Sequence, residues 1–106
     1  MIKKTILSIS ILFSINLHAT DKVKCEELFR SAIYNFYLEN TCKFDGHVSG
    51  SIRKDFGNQK CTELFSDEDL KKLNNEVLGQ SYQVMNKIGH EEFCTFNKSK
   101  YDELRK

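Results

Sequence analysis

The positions of four cysteines restrict the fold of this chain more than any other feature of its sequence. Cys25 and Cys42 stand at the two ends of one amphipathic segment, and Cys61 and Cys94 stand at the two ends of another. None of them belongs to a close C-x-x-C pair, the spacing used by structural zinc sites and thioredoxin-like redox sites. The even count therefore predicts two structural disulfides, for which three pairings are possible.

The segment between the first two cysteines predicts a long amphipathic helix from about Lys22 to Asn40. It contains no Gly or Pro, and its apolar residues recur at steps of three and four. The two cysteines are separated by roughly 25 Å along such a helix, whereas a disulfide needs its Cα atoms within about 7 Å of each other. A bond between Cys25 and Cys42 is therefore excluded if the helix is continuous. The stripe consists of Val23, Cys25, Leu28, Phe29, Ala32, Ile33, Phe36 and Tyr37.

A second stripe with the same period predicts another long helix between the last two cysteines. Ser66 precedes it as an N-cap, and Gly89 follows it as a C-terminal stop. The stripe consists of Leu70, Leu73, Val77, Ser81, Val84, Met85 and Ile88.

Two shorter helical segments complete the pattern. Between Lys43 and Lys60, three apolar residues stand four positions apart and predict a short helix that ends at Gly57, with Ser49 or Ser51 as its cap. The last segment, residues 97–106, is expected to form only one or two helical turns. We therefore expect an all-α domain, a small bundle of three to four helices clamped by two disulfides. The three apolar residues of the short helix are Val48, Ile52 and Phe56.

The two remaining disulfide pairings imply different helix directions. Pairing Cys25 with Cys94 and Cys42 with Cys61 makes the two long helices antiparallel. Pairing Cys25 with Cys61 and Cys42 with Cys94 makes them parallel, as in an up-down-up bundle. Both alternatives stay open on the sequence, and the nested, antiparallel one is slightly preferred.

Residues 1–19 have the three parts of a secretory signal peptide. Lys3 and Lys4 form a basic start, an uncharged run from Ile6 to Leu17 follows, and Ala19 supplies the small residue that signal peptidase requires. The apolar run is shorter than the roughly 20 residues of a spanning helix. We expect cleavage after Ala19 to leave a domain of residues 20–106, without a stable membrane anchor. Its expected location is the bacterial periplasm or the extracellular medium, where disulfides persist.

The charge of the chain argues against nucleic acid as a partner. The full chain has a net charge of +1, and loss of Lys3 and Lys4 with the signal peptide makes it −1. Acidic and basic residues interleave, so the sequence lacks the contiguous basic patch that nucleic-acid binding needs. We expect no metal and no cofactor.

Histidines and acidic residues supply the candidates for catalysis. His47 and Ser49 lie in a glycine-flanked loop, but Ser49 does not occupy the middle position of a G-x-S-x-G nucleophile elbow. His90 precedes Glu91 and Glu92, which are expected to face solvent at a helix boundary rather than to act as an acid–base pair. We therefore expect a protein that is not an enzyme. A secreted effector or hydrolase that uses His47 or His90 is the alternative.

Aromatic residues are abundant for a core of this size, and six phenylalanines are expected to fill it. Tyr34, Tyr37 and Leu38 lie off or at the margin of the main stripe of the first helix and form a candidate partner-binding strip; alternatively, another helix covers them. We expect an exported, non-catalytic protein-binding module, such as an inhibitor, an immunity factor or a chaperone-like factor. A carrier of small apolar ligands is a further alternative. The six phenylalanines are Phe29, Phe36, Phe56, Phe65, Phe93 and Phe96.

Overall fold

The computed structural model describes residues 17–105, and the predicted all-helical class is confirmed within them. This part of the chain contains no β-strand. Its elements are helix α1 (Leu17–Cys42), helix α2 (Val48–Asn58), a short 3₁₀ helix (Cys61–Leu64), helix α3 (Asp67–Ile88) and helix α4 (His90–Leu104).

The predicted signal peptide, residues 1–19, lies outside the described residues except for its last three, where α1 begins. Cleavage after Ala19 therefore stays a prediction. Among the helices of residues 17–105, none has both the length and the apolar character that a membrane span requires. The two disulfides are typical of proteins that work in an oxidising, exported environment.

Helix α1 is the central element, because α2, α3 and α4 all pack against it. Val48, at the start of α2, belongs to the same apolar cluster as Leu38 in the C-terminal half of α1. Phe56, near the end of α2, packs against Phe29 in the N-terminal half, with ring centroids 5.5 Å apart. Helix α2 therefore runs antiparallel to α1 and returns the chain to the end of α1 that carries Cys25.

The disulfides join Cys25 to Cys61 and Cys42 to Cys94. The pairing preferred from the sequence, Cys25 with Cys94 and Cys42 with Cys61, is therefore wrong. The physical reason is α2, whose 11 residues rise about 16 Å and carry the chain most of the way back along α1. Helix α3 then starts beside the beginning of α1 and runs parallel to it, which gives an up-down-up bundle.

The core consists of two apolar clusters, one near each disulfide. The first surrounds the buried Cys25–Cys61 bond and Phe56, and the second surrounds Leu38, Val48, Phe93 and Tyr101. Cys42 and Cys94 pack against the second cluster from its edge. Each disulfide therefore ties the helices together at one end of the bundle.

The sequence signals at the two ends of α3 are confirmed. Ser66 Oγ accepts a hydrogen bond of 3.0 Å from the backbone N–H of Asp69. Gly89 has a φ of 96°, a conformation that glycine adopts without steric cost, and its N–H donates to the carbonyl of Met85 over 2.8 Å. Because Gly89 ends α3 and also precedes the first residue of α4, the two helices meet at a single residue.

The C-terminal helix is longer than the sequence predicted. Helix α4 has 15 residues and begins at His90, whereas the prediction was one or two turns starting near Asn97. Phe93, Asn97 and Tyr101 stand four residues apart and are all buried. Because Asn97 is polar, the spacing of apolar residues alone does not predict that this helix has a buried face.

Candidate partner-binding groove

The predicted partner-binding strip on α1 is covered by α4. Leu38 is only 2% exposed, and Tyr34 and Tyr37 are half-buried. The ring of Phe93 stands edge-on to both tyrosines, with centroids 6.4 Å from Tyr34 and 5.9 Å from Tyr37. Of the two alternatives given for Tyr34, Tyr37 and Leu38, cover by another helix is therefore confirmed, and an exposed partner-binding strip is wrong, because these side chains hold the C-terminal helix on α1.

A side-chain hydrogen bond fixes α4 to α1 at the edge of this strip. Tyr34 Oη donates to Asn97 Oδ1 over 2.5 Å, and Asn97 Nδ2 donates to the carbonyl of Phe93 over 2.8 Å. Burial raises the pKa of Tyr34 above its ordinary value, because it disfavours the charged phenolate. Tyr34 is therefore a neutral donor at physiological pH, and its polar end contributes to helix packing.

An open groove with a volume of about 420 Å³ runs between α1 and α4 beside the covered strip. The polar groups on its α1 side already have internal partners, since Asn35 Nδ2 donates to the carbonyl of Ser31 over 2.7 Å. Of the residues that line the groove, only Lys100 carries a charge. The apolar part of the lining comes from Tyr34, Leu38, Phe96, Tyr101 and Leu104.

Phe96 is the largest exposed apolar group on this groove. Its side chain is 78% exposed, and Leu104, two turns further along α4, is 43% exposed. The sequence predicted Phe96 and Phe36 to be core residues, and both are exposed. The prediction for Phe96 is wrong because the face of α4 that carries Phe93, Asn97 and Tyr101 packs on α1, and Phe96 falls outside it.

Glu39 connects three helices close to the groove. Its carboxylate accepts hydrogen bonds from the backbone N–H of Ser49 over 3.0 Å, from Ser49 Oγ over 2.5 Å and from Tyr101 Oη over 2.8 Å. Tyr101 Oη in turn accepts a bond of 2.9 Å from the N–H of Gly46. Burial alone would raise the pKa of Glu39, but these hydrogen bonds outweigh it and lower the pKa below its ordinary value.

The same carboxylate caps α2. The predicted caps, Ser49 and Ser51, lie inside the helix, and His47 occupies the N-cap position without a capping side-chain bond. Glu39 therefore satisfies the free N–H of the first turn and places a negative charge at the positive end of α2. The sequence does not point to this role, because Glu39 lies on a different helix.

The histidines named from the sequence occupy different surroundings. His47 is exposed at the start of α2, and the nearby hydroxyl of Ser49 donates to Glu39 rather than to His47. His90 Nε2 lies 2.7 Å from the carbonyl oxygen of Thr41 and 3.9 Å from Cys94 Sγ. Glu91 and Glu92 occupy the first turn of α4 and are exposed, as predicted.

Within the described part of the chain, no three His, Cys, Asp or Glu side chains are grouped as metal ligands would be. The chain matches no protein-family model, no curated protein and no solved structure.

Proposed function

We propose that this protein is an exported, non-catalytic binding module whose partner is another protein. The observation that carries the proposal is the exposure of Phe96, at 78%, on a helix that is covalently fixed two residues earlier at Cys94. Large aromatic side chains supply much of the binding energy at protein interfaces. An inhibitor, an immunity factor and a chaperone-like factor all fit this description.

The groove supports a proteinaceous partner because it combines one projecting aromatic ring with an adjacent apolar recess. Phe96 and Leu104 offer exposed apolar surface beside the recess lined by Leu38 and Tyr101. Lys100 adds a single positive charge to the lining. A partner segment with one or two apolar side chains and a neighbouring carboxylate has the matching chemistry.

The attachment of α4 favours binding without large rearrangement. The Cys42–Cys94 disulfide fixes one end of the helix, and the bonds of Asn97 and Tyr101 fix its middle and its second half. A surface that is ordered before binding loses less conformational entropy when the partner docks. Rigidity of this kind is typical of small inhibitors and other disulfide-rich binding proteins.

The compartment is part of the proposal. The disulfides and the signal-like composition of residues 1–19 both favour export. The groove is therefore proposed to meet its partner in the periplasm or in the extracellular medium.

The test compares Phe96→Ala with Tyr82→Ala in the protein recovered from an exporting host. Tyr82 is a matched control, because it is also an exposed aromatic residue (56%) but lies on α3. Proteins from the host's envelope and secreted fractions are captured, and each candidate partner is then purified and titrated against both variants. Loss of a hot-spot aromatic residue should weaken binding by about 30-fold, while the control should bind like the original protein.

Three outcomes would count against this proposal in different ways. A partner that binds Phe96→Ala as tightly as the original protein places the interface elsewhere. Loss of binding only in Tyr82→Ala would place the interface on α3. The absence of any protein partner, together with a small apolar molecule retained in native mass spectrometry, would favour the ligand-carrier alternative.

A further inference from the structure

The two disulfides differ in accessibility. Cys25 is 3% exposed and Cys61 is 0% exposed, and both lie inside the first apolar cluster. Cys42 and Cys94 are only half-buried, at the edge of the second cluster. Because thiol–disulfide exchange requires an approaching thiolate to reach a sulfur atom, the Cys42–Cys94 bond is the more reactive candidate.

A histidine stands beside this accessible bond. His90 lies one helical turn before Cys94, with its Nε2 atom 3.9 Å from Cys94 Sγ and 2.7 Å from the carbonyl oxygen of Thr41. A carbonyl oxygen can only accept, so the contact with Thr41 places a proton on Nε2. The same N–H lies within reach of Cys94 Sγ and can turn from the carbonyl of Thr41 to that sulfur when the disulfide opens. A hydrogen-bond donor next to a sulfur stabilises its thiolate form.

We propose that the Cys42–Cys94 bond is a thiol-exchange site, and that His90 favours Cys94 as the leaving sulfur. The co-reactant is a dithiol reductant. Its thiolate attacks Cys42 Sγ, a new S–S bond forms between reductant and Cys42, the Cys42–Cys94 bond breaks, and its electron pair goes to Cys94. The second thiolate of the reductant then attacks the sulfur joined to Cys42, which releases Cys42 as a thiolate and leaves the reductant as a cyclic disulfide. The two released thiolates take their protons from solvent.

Within the folded state, opening this bond releases one end of α4 and leaves the other covalent link of the bundle in place. The Cys25–Cys61 bond still joins α1 to the 3₁₀ helix at the other end. Helix α4 loses its covalent link to the end of α1, while the bonds of Asn97 and Tyr101 remain in place. The exchange needs no binding partner, so it can be tested independently of the groove.

The first experiment measures which disulfide opens. The oxidised protein, as recovered from an exporting host, is incubated with dithiothreitol under native conditions, and free thiols are trapped with N-ethylmaleimide at successive times. Peptide mass mapping should show Cys42 and Cys94 labelled at least about tenfold faster than Cys25 and Cys61. Equal rates, or faster opening of the buried bond, would overturn the proposal.

The second experiment tests the role of His90 with glutathione, a monothiol that leaves a mixed disulfide on the attacked sulfur. The glutathione adduct should be on Cys42 in about fivefold excess over Cys94. In His90→Gln, whose amide keeps a donor for Thr41, the adduct should be distributed more evenly. His47→Gln is the matched control and should behave like the original protein. An adduct mainly on Cys94, or a distribution that His90→Gln does not change, would show that His90 does not favour Cys94 as the leaving sulfur.

Discussion

The hydroxyl of Tyr101 donates a hydrogen bond of 2.8 Å to the carboxylate of Glu39, and the two residues stand 62 positions apart in the chain. The same carboxylate binds the backbone and the side chain of Ser49. Helix α1, the start of α2 and helix α4 therefore meet at one partly buried negative charge. A charge in this position is tolerated because hydrogen bonds replace the water that it has lost.

The Glu39→Gln substitution tests how much that negative charge contributes to the stability of the fold. The substitution keeps the size of the side chain but replaces charge-assisted hydrogen bonds with weaker neutral ones and turns one acceptor into a donor. We expect a loss of about 1–2 kcal/mol in the free energy of unfolding, measured by urea denaturation of the oxidised protein at neutral pH. The control is Glu92→Gln, an exposed carboxylate on α4, which should change stability by less than about 0.5 kcal/mol. Equal stabilities for the two variants would contradict this account.

The Glu39 site should also make stability depend on pH. The pKa of Glu39 is lowered in the folded protein. The stabilisation that its charged carboxylate provides is therefore complete above the unfolded pKa of about 4.3. That contribution is lost as the pH falls through the lower, folded value, because the protonated group resembles the glutamine variant. The difference in unfolding free energy between the original protein and Glu39→Gln should therefore shrink below about pH 4. A difference that stays constant from pH 7 to pH 3 would show that the charge plays no part.

The sequence predicts those features of the fold that depend on nearby residues. Ser66 marks the start of α3 through its side-chain cap and Gly89 marks its end through its backbone conformation. Apolar residues at helical spacing predicted α1 and α3, although some residues of both stripes are exposed. The exclusion of a Cys25–Cys42 bond needs only the length of one helix. The choice between the two remaining pairings was wrong because it depends on the direction of α2, which no local signal determines.

The groove depends on contacts between distant parts of the chain, and the sequence predicts it poorly. Leu38 was a candidate for an exposed partner-binding strip, with cover by another helix as the alternative, and it lies in the core, whereas Phe96 was expected in the core and is exposed. Both errors have the same origin, because α4 was not predicted as a packing helix. Glu39 was missed for a related reason, since its partners Ser49 and Tyr101 lie on other helices.

Removal of either disulfide should destabilise the bundle by a similar amount. The cysteines are separated by 36 positions in the Cys25–Cys61 bond and by 52 in the Cys42–Cys94 bond. In the chain-entropy picture, closing either loop contributes about 4 kcal/mol, because the entropy changes only slowly with loop length. We expect this loss in the Cys25→Ser/Cys61→Ser and Cys42→Ser/Cys94→Ser double variants, measured by denaturant unfolding of the purified proteins. A double variant as stable as the original protein would show that its disulfide does not constrain the unfolded chain.

Mutation of two phenylalanines one turn apart on α4 should change stability by very different amounts. Phe93 is 0% exposed against Tyr34 and Tyr37, so Phe93→Ala removes a buried ring and should cost about 3–5 kcal/mol of unfolding free energy. Phe96 is exposed, so Phe96→Ala should change stability by less than about 0.5 kcal/mol. The measurement is thermal or urea unfolding of the two variants side by side, with the Cys42–Cys94 bond intact in both. A large loss of stability in Phe96→Ala would mean that its ring is part of the core and not a free binding surface.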